Sequence, residues 1–337
     1  MRQSAGLGKG SRASGTASGS SWLDSERATV PRALSATTRH ASPGHALVHQ
    51  TRRGKDRVKA SDAPIADALA GARNGRIKAG IGGWNFAPWR DNFYPKGLPQ
   101  RRELEYASRH LATLEINSTF YRAQTPKVYA KWRDETPPGF VFSLKAPRQV
   151  AEGRKLAGAG ALVRGFLFGG LAEFGDRLGP IVWQFPPSRA FDRDDFAAFL
   201  DLLPRELNGR ALRHVLEMRH ASFLCPGFLA LARGHGLPCV FTDSGEYPNF
   251  ADLTGDFVYA RLMRSRGSEH DGYPASELDT WAARARLWSE GGEPDDLPRV
   301  APADATRAAT RDVFIHFISA AKQRNPAAAM ALQGRVA

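Results

Sequence analysis

Cysteine is almost missing from this chain: Cys225 and Cys239 are the only two in 337 residues. A disulfide-stapled scaffold and an all-cysteine metal centre are therefore excluded. Cys239 lies in an apolar strand pattern, which reads as a buried, inert thiol. Long hydrophobic runs are missing as well. No stretch of eighteen apolar residues occurs, so no membrane span is expected and the chain reads as cytoplasmic. Nucleotide fingerprints are absent too: no Gly-x-Gly-x-x-Gly follows a strand pattern, and there is no P-loop. Residues 76–337 hold no His-x-x-x-His pair, and no Ser-His-Asp arrangement stands out. These gaps leave any cofactor unknown.

Acidic residues are scarce at one end only. Residues 1–75 carry twelve Lys/Arg against five Asp/Glu, so +7 of the formal +13 sits there and +6 is left for the rest. That segment is rich in Ser, Gly, Ala and Arg and shows almost no apolar periodicity. It cannot bury enough apolar area to offset its ordering entropy, so it is expected to be a disordered basic extension. The excess charge on residues 76–337 is modest and by itself indicates no function.

Beyond residue 75 the pattern changes to alternating strands and helices. Strand patterns cover 76–82, 111–117, 140–145, 180–185, 213–220, 239–243, 257–262 and 312–318. Helical patterns cover 101–111, a segment opened by Thr125-Pro126, and a run from Asp192 with Phe196, Phe199, Leu200 and Leu203 at helical spacing. Others surround Phe228 to Ala232, follow Ser276, and follow Asn325-Pro326. Residues 291–311 form a Pro/Asp-rich insertion expected to be flexible. Alternation of this kind means a parallel sheet. Eight units in about 250 residues predict an α/β fold, a single (β/α)8 TIM-type barrel over residues 76–337.

Several motifs stand in a recognisable order: Ile81-Gly82-Gly83-Trp84, Phe93-Tyr94-Pro95, Glu115-Ile116-Asn117-Ser118-Thr119-Phe120-Tyr121, Lys145-Ala146-Pro147-Arg148, Gln184-Phe185-Pro186-Pro187 and Glu217-Met218-Arg219-His220. Together they resemble the YecE-like family, also called domain of unknown function seventy-two, over roughly residues 77–334. The resemblance implies a TIM-barrel fold. It brings no established reaction and no catalytic residues. The last strand departs from the Tyr-Phe-Asp-Asn-Asp-like end of many members, reading His316-Phe317-Ile318-Ser319-Ala320-Ala321-Lys322 instead.

In a barrel of this kind the site lies at the C-terminal ends of the strands. Side chains alternate along a strand, and the helix-facing parity should be apolar, so the polar parity points inward. That places Glu115, Asn117, Ser143, Lys145, Gln184, Glu217, Arg219, Asp243, Tyr259 and Arg261 around one opening. The last strand is ambiguous, because His316 shares parity with Phe314 and Ile318. Glu115 or Glu217 is the expected acid/base. Lys145 or Arg219 is the expected stabiliser of developing negative charge. Trp84, Asn117, Gln184, Asp243, Arg261, Lys322 and Arg324 are the expected binding residues. Arg261, Arg264 and Arg266 follow the seventh strand, and Lys322 and Arg324 the eighth, where barrels often hold phosphate.

Glu115, Glu217, Asp243, His220 and His316 could ligate a metal. Three cations at the same mouth oppose a divalent ion, and none is expected. His220 and His235 read as cap or surface residues. The expected function is a hydrolase or lyase acting on a small anionic, possibly phosphate-bearing compound. The alternative is a non-catalytic nucleic-acid-binding barrel that uses the basic loops and the aromatics near the mouth.

Overall fold

A computed structural model describes residues 76–303 and 309–337. The extension expected over residues 1–75 lies outside the described residues, as do residues 304–308 of the insertion. Eight parallel strands form the centre: β1 Ile77–Gly82, β2 Thr113–Ile116, β3 Val141–Lys145, β4 Leu178–Phe185, β5 His214–Met218, β6 Val240–Thr242, β7 Phe257–Leu262 and β8 Asp312–Phe317. Their spatial order is β5-β4-β3-β2-β1-β8-β7-β6. The remaining gap is bridged where Leu216 pairs with Cys239, the Leu216 amide donating to the Pro238 carbonyl at 2.9 Å. The sheet thus runs in chain order around a barrel, as the strand count implied.

The helices are α1 Glu103–His110, α2 Ser118–Tyr121, α3 Pro126–Asp134, α4 Arg148–Glu152, α5 Gly160–Phe168, α6 Arg193–Asp201, α7 Pro226–His235, α8 Ala275–Ser289 and α9 Asn325–Val336. Their ends follow local chemistry. The Asp192 carboxylate accepts the Asp195 amide at 3.2 Å and so starts α6. Gly236, at φ 63°, takes the left-handed conformation that ends α7. Asn325 was expected to cap α9, but it is the first helical residue. Its side chain accepts from the Ser265 hydroxyl at 2.8 Å, which ties α9 to the loop after β7.

Strand parity divides the core in two. Outward residues such as Ile81, Leu114, Phe142, Trp183, Leu216, Phe241, Leu262 and Phe317 join the large cluster shared with the helices. Inward residues Val182, Val215, Val240, Phe257, Tyr259 and Phe314 form a second, separate cluster that fills the barrel. At the N-terminal end Asp312 pairs with Arg213 at 2.7 Å, and the Arg213 guanidinium lies 5.9 and 5.8 Å from the Phe257 and Phe314 ring centres. This end is plugged, so an opening can exist only at the other one.

β1 carries a special constraint. Its pairing with β2 begins only at Gly80, opposite Thr113. The earlier Ala79 amide and Ile77 carbonyl are instead satisfied by the Gln333 side chain of α9, at 2.9 and 3.3 Å. At Gly80 the strands approach so closely that a Cβ would lie 1.9 Å from the Thr113 carbonyl oxygen. His316 on β8 reaches Thr113 on β2 across this glycine, with Nε2 3.3 Å from Oγ1. Gly80→Ala is therefore expected to destabilise the barrel by about 3 kcal/mol or more, the upper end of ordinary overpacking, because the obstacle is backbone. A urea-unfolding midpoint close to the wild-type value would refute this close approach.

Candidate functional site

Arg261, near the C-terminal end of β7, is 1% exposed and stands at the centre of the mouth. Its Nη2 donates to Glu115 Oε1 on β2 at 2.9 Å. Its Nη1 donates to Glu217 Oε1 and Oε2 on β5 at 2.8 and 2.7 Å. β2, β5 and β7 are not neighbours, so these contacts cross the interior. The Tyr259 hydroxyl donates to Glu115 Oε2 at 2.7 Å from below. Gln184 Nε2 donates to Glu217 Oε2 at 2.7 Å, and Arg219 Nε to Glu217 Oε1 at 2.9 Å.

The two carboxylates are not equivalent. A carboxylate offers about four lone-pair directions. Glu217 accepts four hydrogen bonds and Glu115 two, so only Glu115 retains accepting capacity. Burial alone would push the Glu217 carboxyl up, but Arg219, Arg261, Lys145 and Gln184 together hold it down at about 2. Burial opposes the charge on Arg261 too, and the facing Glu115 and Glu217 hold its guanidinium above its ordinary range.

Two cations flank this core. Lys145 at the end of β3 is buried, with Nζ 3.9 Å from the centre of the Phe120 ring. The Arg219 guanidinium lies 4.3 Å from the centre of the Tyr247 ring and reaches the surface. A cation over an aromatic face is attracted by the ring quadrupole, which helps to orient it. Asn117 follows β2, and its Oδ1 is buried without a partner.

Other expected members stand apart. Asp243 accepts the Met263 amide at 2.5 Å and the Tyr273 hydroxyl at 3.2 Å, which fixes the loop after β7. Its carboxyl is pushed up, chiefly by burial. Trp84 packs edge-on against Trp132 at 5.1 Å, and its carbonyl accepts from the Tyr94 hydroxyl. Lys322 lies 4.7 Å from the Phe86 ring centre while its carbonyl accepts Trp89 Nε1 at 2.9 Å, and Arg324 Nε donates to the Gly267 carbonyl at 3.3 Å. These two basic residues hold rim loops together. His220 caps a short turn by accepting the Ser222 amide at 3.2 Å. Burial pushes the Cys239 thiol up to about 12, as befits an inert thiol. Among the described residues no three His, Cys, Asp or Glu side chains cluster as metal ligands do.

His316 is the member that sequence reasoning left undecided. It points inward, is fully buried, and stacks on Tyr259 with ring centres 4.9 Å apart. Burial, aided by Arg261, lowers it to about 3, so it is neutral at ordinary pH. The missed signal was on the neighbouring strand: Gly80 and Gly82 occupy the inward parity of β1 and leave room for a bulky partner.

Residues 78–337 match the family described as "Protein of unknown function DUF72". The chain belongs to this family. It is 32% identical over 127 residues to the UPF0759 protein YecE of Escherichia coli K12, a match covering 37% of this chain and 44% of YecE. To the UPF0759 protein YunF of Bacillus subtilis it is 33% identical over 70 residues, or 21% of this chain and 24% of YunF. The matched stretches thus span less than half the length of these curated relatives. A crystal structure of a DUF72 family protein from Thermotoga maritima MSB8 shares the fold at a TM-score of 0.57 and 22% identity, over 77% of this chain and 97% of that one. Another from Enterococcus faecalis V583 gives 0.56 at 13% identity, over 77% and 95%.

The charge core has a pH signature. The Glu217 carboxyl is lower in the folded chain than its ordinary 4.5, so its contribution is complete above about pH 4.5 and is lost as pH falls towards 2. The shift corresponds to roughly 3 kcal/mol. Neutral burial of His316 adds a loss with the same sign, beginning as pH drops below 6.5. Stability against urea should fall from pH 6.5 to 3, with the part below 4.5 flattened in Glu217→Gln. Arg261→Met leaves two buried carboxylates without their counter-ion and should cost at least about 3–5 kcal/mol. A loss below 1 kcal/mol would show that the ion pairs do not hold the mouth together.

Proposed function

We propose that the barrel mouth is the active site of an enzyme, a hydrolase or lyase, acting on a small anionic, phosphate-bearing compound. The observation that supports this reading is the excess of positive charge: Lys145, Arg219 and Arg261 gather around the two carboxylates Glu115 and Glu217. An anion entering there meets preorganised cations in a site largely shielded from water, where their field is strongest. Glu115 serves as the acid/base, because it alone keeps free lone pairs. Glu217 stays ionised and orients Arg219 and Arg261. Lys145 and Arg219 stabilise the negative charge that develops on the substrate. Both cysteines are free, which fits a cytoplasmic location, and among the described residues no single helix is long and apolar enough to cross a membrane.

A nucleic-acid strand is the second reading. Four cations near the mouth lie over aromatic rings: Lys145 on Phe120, Arg148 on Tyr121, Arg219 on Tyr247 and Lys322 on Phe86. Such pairs suit a phosphate backbone with stacked bases, and binding of that kind would weaken steeply with salt.

A thermal-shift screen of phosphate and carboxylate metabolites at low salt distinguishes the two. A small phosphate-bearing compound should raise the unfolding midpoint by several degrees, and Arg219→Ala should abolish the shift. Glu115→Gln should keep binding but lose turnover of that compound. If no small anion shifts the midpoint while single-stranded oligonucleotides bind with a steep salt dependence, the enzyme reading fails.

A further inference from the structure

Around the charged core, four buried polar atoms lack a hydrogen-bond partner: Arg261 Nε, His316 Nδ1, Ser143 Oγ and Asn117 Oδ1. Their chemistry can be read atom by atom. The Thr113 hydroxyl donates its one proton to the Val141 carbonyl at 2.8 Å. Toward His316 it can only accept, so Nε2, 3.3 Å away, carries the ring proton and donates it. Nδ1 is then a bare acceptor, and the neutrality of the ring keeps it so. Arg261 has spent its two terminal nitrogens on Glu115 and Glu217, and Nε is a leftover donor. His316 and Arg261 are direct cross-strand partners in the β8–β7 register, so the donor and the acceptor belong to one layer of the barrel.

On β1 the inward positions next to His316 and Glu115 are Gly80 and Gly82, so no side chain from this strand fills the interior there. A Cβ on Gly82 would sit 2.9 Å from Asn117 Nδ2, so the Asn117 amide lies directly against this glycine. A buried donor and buried acceptors left unpaired each cost folding free energy. Retaining them together beside two glycines marks a place where a ligand completes the bonding.

We infer that this floor is a subsite for a hydroxyl group, which accepts from Arg261 Nε and donates to His316 Nδ1, and that the compound bound at the mouth is a phosphate ester of a polyol, entering hydroxyl end first. The acceptors oppose the reverse orientation. An oxyanion would suit Arg261 Nε and the Ser143 hydroxyl but would face the lone pairs of His316 Nδ1 and Asn117 Oδ1 and lie beside the Glu115 carboxylate. The phosphate therefore stays above, with Lys145 and Arg219. This inference rests on the anion-site reading given above and adds to it the nature and direction of the substrate. A water molecule has the same capacity to donate and accept, so the test must separate a displaceable site from a permanently hydrated one.

Isothermal titration of the full chain at low salt with matched probes does this: glycerol 3-phosphate against propyl phosphate, ribose 5-phosphate against pentyl phosphate, and inorganic phosphate alone. At least one polyol ester should bind about tenfold or more tightly than its alkyl counterpart, because a site built to bond a hydroxyl penalises its loss. His316→Phe, which keeps the ring stacked on Tyr259 but removes the acceptor, should bring the pair level without lowering the unfolding midpoint. Gly82→Ala should do the same by displacing the Asn117 amide. If alkyl and polyol esters bind equally to the wild type, the anion site stands and the hydroxyl subsite falls, as it would if water held the position permanently. If none of the phosphates binds, the anion-site reading itself falls and takes this inference with it.

Discussion

A guanidinium without access to water is the constraint on which the mouth depends. Burying Arg261 would be prohibitive unless its charge were matched by carboxylates in good geometry. Glu115 and Glu217 supply the match from opposite sides of the barrel, at 2.9 and 2.7 Å. Because the three residues stand on β7, β2 and β5, their ion pairs fasten together strands that share no backbone hydrogen bonds. Arg219 joins the same network through Glu217, and Lys145 lies close enough to act on that carboxylate as well.

A second constraint comes from the absence of side chains on β1. Gly80 lets β1 and β2 approach and lets the His316 ring cross to Thr113, while Gly82 lets the Asn117 amide lie against the strand. The interior is thereby graded. At the plugged end Arg213, Asp312, Phe257 and Phe314 pack tightly. Tyr259 stands level with Phe314, and His316 and Thr113 share the next layer with Arg261, whose guanidinium reaches the carboxylates.

Lys322 and Arg324 follow the last strand, where phosphate is often held, and both are tied to neighbouring loops, Lys322 through its backbone carbonyl and Arg324 through Nε. Asp243 does likewise for the segment after β7. These residues hold the walls of the mouth in place, and a wall held by side-chain-to-backbone bonds keeps the central cations at fixed spacing.

The eight strands, their parallel arrangement and the inward parity of Glu115, Lys145, Gln184, Glu217, Arg219, Tyr259 and Arg261 were all legible in the sequence. The reason is that alternation along a strand is a local property with a fixed period of two. Parity says which face a side chain takes, and it says nothing of what lies across the barrel. That Arg261 meets both glutamates, that Glu217 accepts four hydrogen bonds while Glu115 accepts two, and that Asp243 turns to Met263 and Tyr273 depend on strand order and register. His316 shows the limit most clearly. Its own strand leaves its direction ambiguous, and only the glycines of β1, 236 residues earlier in the chain at Gly80, make room for it to face inward. Sequence pattern determined the barrel and the list of inward groups. Tertiary structure decided which of them pair with one another, because electrostatic pairing acts through distances that only the closed sheet sets.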